Sequence, residues 1–155
     1  MQPRPGHSLL TMLTVKQILN EKGRTVWSTS PDASVQSALQ LMADRNVGAL
    51  MVLDGDRLVG IFSERDYARK FIRSDKPPRE TRVRELMTED VHTVRPGQSL
   101  GACMALMTDK RVRHLPVMEA GKVIGVISIG DVVKAIISEQ QQVISELGSY
   151  LNHER

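Results

Sequence analysis

Residues 26–70 recur at 91–135 without a gap, and this repetition restricts the chain to folds assembled from two like halves. Val26 falls on Val91, Pro31 on Pro96, Ser34 on Ser99, Leu41 and Met42 on Leu106 and Met107, and Asp44 on Asp109. The match continues through Val47 on Val112, Leu50 on Leu115, Val52 on Val117, Gly60 on Gly125, Ser63 on Ser128 and Asp66 on Asp131. Two copies, as opposed to a long array, predict a pseudo-two-fold pair. At 155 residues each copy holds too few apolar side chains for an independent core, so one globular domain built from two halves is expected.

The pattern within a copy reads as strand, helix, strand, strand, helix, which places the chain among mixed α/β (α+β) folds. In the first copy, Leu13 to Leu19 reads as a short helix stopped at Gly23, and Thr25 to Thr29 as a strand ended by Pro31. Val35, Ala38, Leu39 and Met42 then share one helical face behind a cap at Asp32 or Ser34. Ala49 to Leu53 and Arg57 to Phe62 are apolar runs joined by Asp54-Gly55-Asp56, a hairpin signal. A helix follows from Ser63 to about Arg73, and the polar, proline-broken segment 74–82 reads as a linker.

The predicted organisation is a flexible tail at 1–12, a first unit at 13–73, a second at 83–138 and a helical extension at 139–155. The final helix keeps apolar residues at Val133, Ile136, Ile137, Val143, Ile144, Leu147 and Leu151. It outruns its counterpart in the first copy, so its surplus apolar face either self-associates or packs back on its own domain.

Composition excludes several function classes. Apolar residues make up 41% of the chain and aromatics 3%, which describes an aliphatic core. The single Cys103 rules out an internal disulfide or a cysteine metal cage and fits a reducing, cytoplasmic setting. A net charge of +3 and a pI near 9.2 arise from 21 basic and 18 acidic residues that are interspersed, with no basic-aromatic cluster of the kind nucleic acid requires. No run approaches the roughly 18 apolar residues of a membrane span, and residues 1–6 lack a signal peptide's apolar stretch.

The chemistry concentrates at two junctions, Gly60-Ile61-Phe62-Ser63-Glu64-Arg65-Asp66 and Gly125-Val126-Ile127-Ser128-Ile129-Gly130-Asp131. Each is an apolar strand ending in Gly-x-x-Ser-x-x-Asp and passing into a helix. Serine followed three residues later by a carboxylate forms a capping-box variant, which needs no ligand. Equally, a glycine at the strand end admits a close approach, the helix start presents N–H groups to a phosphate, and the aspartate can accept both hydroxyls of a ribose diol. Arg65 supplies charge in the first copy. Gly130 stands in its place in the second. Arg113 and His114, at the start of a strand, are placed to supply charge to either site, and the second, lacking its own arginine, is expected to borrow from Arg113 and to be the more open of the two.

Taken together, Val83 to Met87, Pro31 and Pro96 with their following serines, Arg113-His114-Leu115-Pro116-Val117 and the doubled Gly-x-x-Ser-x-x-Asp resemble the cystathionine β-synthase (CBS) domain. Two in tandem resemble a Bateman module, and the likeness spans about residues 13–138. It implies two clefts between the halves that bind adenosine compounds: AMP, ADP, ATP, S-adenosylmethionine or NAD. By position, Asp66 with Ser63 and Arg65, and Asp131 with Ser128 and Ile129, hold ribose and phosphate. Val47, Gly48 and Ala49, and Val112 in the other copy, lie along the adenine. Lys22, Thr25 and Val26, with Thr88 to Val91, line the clefts. Met51 departs from the proline found at Pro116. The resemblance implies a non-catalytic, nucleotide-binding regulatory module that modulates a partner protein as a homodimer. A ligand-free interaction protein is the first alternative, and nucleic-acid binding the second.

Overall fold

The computed structural model describes residues 10–153. Two small sheets and their helices form a mixed α/β molecule in which each copy contributes one hairpin. In chain order the elements are α1 (Val15–Lys22), β1 (Ser28–Thr29), α2 (Val35–Arg45), β2 (Ala49–Asp54), β3 (Arg57–Ser63) and α3 (Glu64–Lys70). They continue with α4 (Val83–Leu86), α5 (Leu100–Lys110), β4 (His114–Glu119), β5 (Lys122–Ser128) and α6 (Ile129–His153). Residues 10–12, expected in the tail, form a helical turn; the remainder of that tail, 1–9, and residues 154–155 lie outside the described residues.

The repeat is reproduced at the level of backbone register. Ala49 pairs with Ser63 and Leu50 with Phe62 across β2 and β3, while His114 pairs with Ser128 and Leu115 with Ile127 across β4 and β5. Both hairpins slip register at the same place, between Val52 and Leu53 and between Val117 and Met118. The turns require positive φ: Gly55 (64°) in the first, Ala120 (51°) and Gly121 (77°) in the second.

The first strand of each copy is shorter than the sequence suggests. Thr25 and Val26 are not part of β1, because in the parallel register of Ser28 with Met51 their partners would lie at or before the first residue of β2. In the second copy the corresponding strand shrinks to a single bridge between Val94 and Val117. The cause is Pro116. In the first copy the Met51 N–H donates to the Trp27 carbonyl at 3.1 Å, whereas the proline at the equivalent place has no N–H to donate.

The leading helices are exchanged between halves. Val15, Ile18 and Leu19 of α1 pack with Leu100, Cys103 and Met107 of α5, Leu115 and Val117 of β4 and Ile127 of β5. Conversely, Val83, Leu86 and Met87 pack with Val35, Ala38 and Met42 of α2, Leu50 and Val52 of β2 and Phe62 of β3. Backbone ties fix both exchanges: Val15 donates to Gln98 (3.0 Å) and Leu100 to Leu13 (2.9 Å), while Val83 donates to Ala33 (2.9 Å) and Val35 to Thr81 (2.8 Å). Neither core is therefore closed by its own copy. Cys103 is buried in the second core, where burial pushes its thiol up to about 11, so it is a packing residue and not a reactive one.

Candidate functional site

Each hairpin ends where a helix begins, and the capping box predicted there is present in both copies. The Ser63 Oγ accepts the Asp66 N–H (3.1 Å), and Asp66 Oδ2 accepts the Ser63 N–H (3.0 Å) and hydroxyl (2.9 Å). In the second copy Asp131 Oδ2 accepts the Ser128 N–H (2.8 Å) and Ser128 Oγ accepts the Asp131 N–H (3.1 Å). The next residue of each helix is tied to the start of its own hairpin, Glu64 N–H to the Gly48 carbonyl (3.0 Å) and Ile129 N–H to the Arg113 carbonyl (2.9 Å). The helix start and the strand entry are thus locked as one unit in each half.

Gly60 and Gly125 do not admit a ligand. What approaches them is the exchanged helix. A β-carbon on Gly60 would stand 2.7 Å from Met87 Sδ and 3.0 Å from the Thr88 carbonyl oxygen, and one on Gly125 would stand 2.6 Å from Leu19 Cδ2. These glycines serve the packing between halves.

A cavity of about 320 Å³ opens at the Asp66 junction, near the lower end of the range for small-molecule pockets. Ile61, Ser63, Glu64, Arg65, Asp66 and Arg69 form one wall, Thr88, Asp90, Val91 and His92 a second, and Lys110 to His114 the third, with Gly48 also lining the cavity. It therefore draws on both copies. Asp66 Oδ1 faces the Thr88 hydroxyl, which donates to it at 2.8 Å, and the Lys70 ammonium stands 3.6 Å away. The His114 imidazole closes over Gly48, where a β-carbon would meet Cε1 and Nε2 at 3.7 Å.

The electrostatics of this cavity are basic. Arg65, Arg69, Lys110, Arg111 and Arg113 share its walls with Glu64, Asp66 and Asp90. Arg113, then Arg69, together with a smaller effect of burial, hold the Arg65 guanidinium below its usual range, the mark of cations crowded without enough counter-charge. Burial, reinforced by the Lys22 charge, lowers His114 from its ordinary 6.5, so it is neutral at pH 7.

At the Asp131 junction the arrangement differs. The Lys22 ammonium, at the end of α1, donates to Asp131 Oδ2 at 2.6 Å and to the Val126 carbonyl at 2.8 Å. Burial favours the protonated acid, but the Lys22 hydrogen bond and charge with the Ser128 bonds outweigh it and hold Asp131 below 3.8. Thr25 is exposed and Val26 half-buried. Ile129 turns outward onto the face that carries Val133 and Ile137, away from either cleft.

Several sequence expectations are thus rearranged. Arg113 does not lend its charge to the Asp131 junction but joins Arg65 on the Asp66 cavity, together with Val112 and His114. Gly48 lines that cavity, whereas Val47 packs on the first core and Ala49 is buried within β2. Arg69, His92, Lys110 and Arg111 went unnoticed in the sequence. Arg69 lies one helical turn from Arg65, and Lys110-Arg111 directly precedes the strand entry, so both were open to discovery by spacing. Among the described residues there is no cluster of metal-ligating side chains, and no helix is long and apolar enough to cross a membrane.

Comparison with known proteins identifies the architecture. The CBS domain family model matches residues 15–73 and 83–138. A mitochondrial CBS domain-containing protein of Arabidopsis thaliana, CBSX3, is 37% identical over 148 residues, covering 89% of this chain and 71% of the relative. A putative signal-transduction protein with CBS domains from Burkholderia ambifaria superposes with a TM-score of 0.79 at 50% identity, over 82% of this chain and 96% of that one. The CBS domain pair of protein MJ0100, solved with 5′-methylthioadenosine and S-adenosyl-L-methionine, gives a TM-score of 0.71 at 20% identity, over 81% of this chain and 97% of its own.

Proposed function

The chain belongs to the CBS-domain family as a tandem pair, and from that premise we propose that it is a non-catalytic sensor of an adenosine-containing ligand of the AMP, ATP or NAD class. The observation that carries the reading is the Asp66 cavity, which combines a capped helix start, an aspartate and a crowd of arginines on walls from both halves. A ribose diol suits Asp66, whose second oxygen faces only the neutral Thr88 hydroxyl at hydrogen-bond distance among the groups described. Arg65 and Arg113 suit the phosphate, and Val91, Val112 and Gly48 offer the apolar and backbone surface that a base stacks upon.

Because the ligand would touch both halves, its binding energy can favour one relative orientation of the halves over another, which is what a sensor needs. The readout partner is another protein. A second copy of the chain is the natural companion of α6, whose outer face exposes Ile129, Val133, Ile137, Val143, Ile144, Leu147 and Leu151. Calorimetric titration with AMP, ATP, NAD and S-adenosylmethionine tests the reading. At least one is expected to bind more tightly than about 1 mM, near −4 kcal/mol; silence from all four leaves the capping role as the whole purpose of the two aspartates.

A further inference from the structure

We infer that the two clefts differ in use: the Asp66 cleft takes one nucleoside polyphosphate per chain, and the Asp131 position is filled by Lys22 as a built-in counter-ion. The inference rests on the nucleotide reading above and adds stoichiometry and ligand class to it. It follows from an atom-by-atom comparison of the halves. Ile61 and Val126 are equivalent, as are Asp66 and Asp131. In the first half the Ile61 carbonyl accepts the Thr88 N–H (2.8 Å) and Asp66 accepts the Thr88 hydroxyl (2.8 Å). In the second, one ammonium makes both bonds, Lys22 to the Val126 carbonyl (2.8 Å) and to Asp131 (2.6 Å).

The source of the difference is helix length. Leu19 and Met87 occupy matching places against Gly125 and Gly60, but α1 continues to Lys22 while α4 stops at Leu86. The extra turn carries the ammonium to the place where Thr88 stands in the other half. A ribose diol approaching Asp66 displaces a neutral hydroxyl that can rotate away. At Asp131 the Lys22 ammonium neutralises the carboxylate through a charge-assisted bond to Oδ2, so a diol would meet an acid already compensated, whereas the Lys70 ammonium stands 3.6 Å from Asp66, beyond hydrogen-bond distance.

The cations divide in the same way. Arg65 and Arg113 have Gly130 and Gly48 as counterparts, and Arg111 has Asn46. Lys110 corresponds to Arg45, whose guanidinium is stacked over the Trp27 ring at 4.3 Å. The basic charge that a chain of phosphates needs is therefore gathered on the Asp66 side, where five cations face the three carboxylates of Glu64, Asp66 and Asp90 and leave the cavity net positive.

Calorimetry on the full chain with ATP, ADP and AMP at pH 7 reads both parts. The expected result is one site per chain, with affinity rising at least about tenfold from AMP to ATP, as charge-assisted contacts accumulate. In Arg65→Gln/Arg113→Gln the gap between AMP and ATP should close. Asp131→Asn, checked for folding by circular dichroism, should leave stoichiometry and affinity as they are, and Asp66→Asn should weaken binding. Two sites in the unaltered chain, equal affinity for AMP and ATP, or loss of binding in folded Asp131→Asn would overturn the inference while leaving the nucleotide reading standing. Absence of binding by any adenosine ligand would remove both.

Discussion

The surroundings of Asp131 favour its charged form, and that is measurable. Its carboxyl titrates below 3.8 in the folded chain because the Lys22 and Ser128 bonds outweigh burial. A depressed folded value means that its contribution is fully present above the unfolded pKa and is lost as pH falls through the folded one. The stability advantage of the natural chain over Asp131→Asn should accordingly narrow between about pH 5 and pH 2 in urea titrations; a constant gap would mean that Lys22 contributes nothing through charge. Gly60 makes a second residue-scale prediction. A methyl group there meets the backbone carbonyl of Thr88 as well as Met87, so Gly60→Ala should cost about 1–3 kcal/mol. Gly125→Ala meets only the flexible end of Leu19 and should cost less, by the same denaturant measurement.

At the scale of elements the exchanged helices dominate. Leu19 is 1% exposed and lies in the core of the half to which it does not belong by sequence. Leu19→Ala should destabilise the protein by about 2–5 kcal/mol, and the loss should appear as earlier amide exchange in α5 and β4, not in α2 and β2. The exposed stripe of α6 makes a separate prediction. Ile144, at 69%, and Leu147, at 58%, lie on an exposed apolar stripe of the kind that marks an association surface. Sedimentation should show a dimer for the natural chain and a monomer for Ile144→Lys/Leu147→Lys; a monomeric natural chain would assign this face to a different protein.

Much of the architecture was written in the sequence because hairpins and caps are local. Asp54-Gly55-Asp56 and the Ser63 and Asp66 spacing each depend on neighbours in the chain, and the recurrence of Gly60 at Gly125 shows the same local pattern twice. The exchange of α1 and α4 depends on contacts between residues as distant in the chain as Val15 and Leu100, or Val35 and Val83, and no periodicity records which core an apolar face will enter. For the same reason Arg113 was legible as a cation beside a strand but not as a partner of Arg65. Lys22 was legible as a residue near a cleft but not as the ion that fills it. Met51 stands out in the sequence as the departure from Pro116, and the hydrogen bond its N–H makes to the Trp27 carbonyl, which a proline cannot make, gives the difference its structural meaning.

At the scale of the whole molecule the halves share one backbone plan and differ most at the two junctions. One junction gathers cations around a cavity of about 320 Å³, and the other spends its cation internally. A ligand at the first would join β3 and α3 of one half to the β4 entry of the other. Amide hydrogen exchange with and without ATP tests this most directly, because it reports where the chain is protected. Protection is expected at residues 63–66, 88–92 and 110–114, with residues 128–131 unchanged. Protection confined to 128–131, or no protection at saturating ATP, would contradict a single ligand bound between the halves at Asp66.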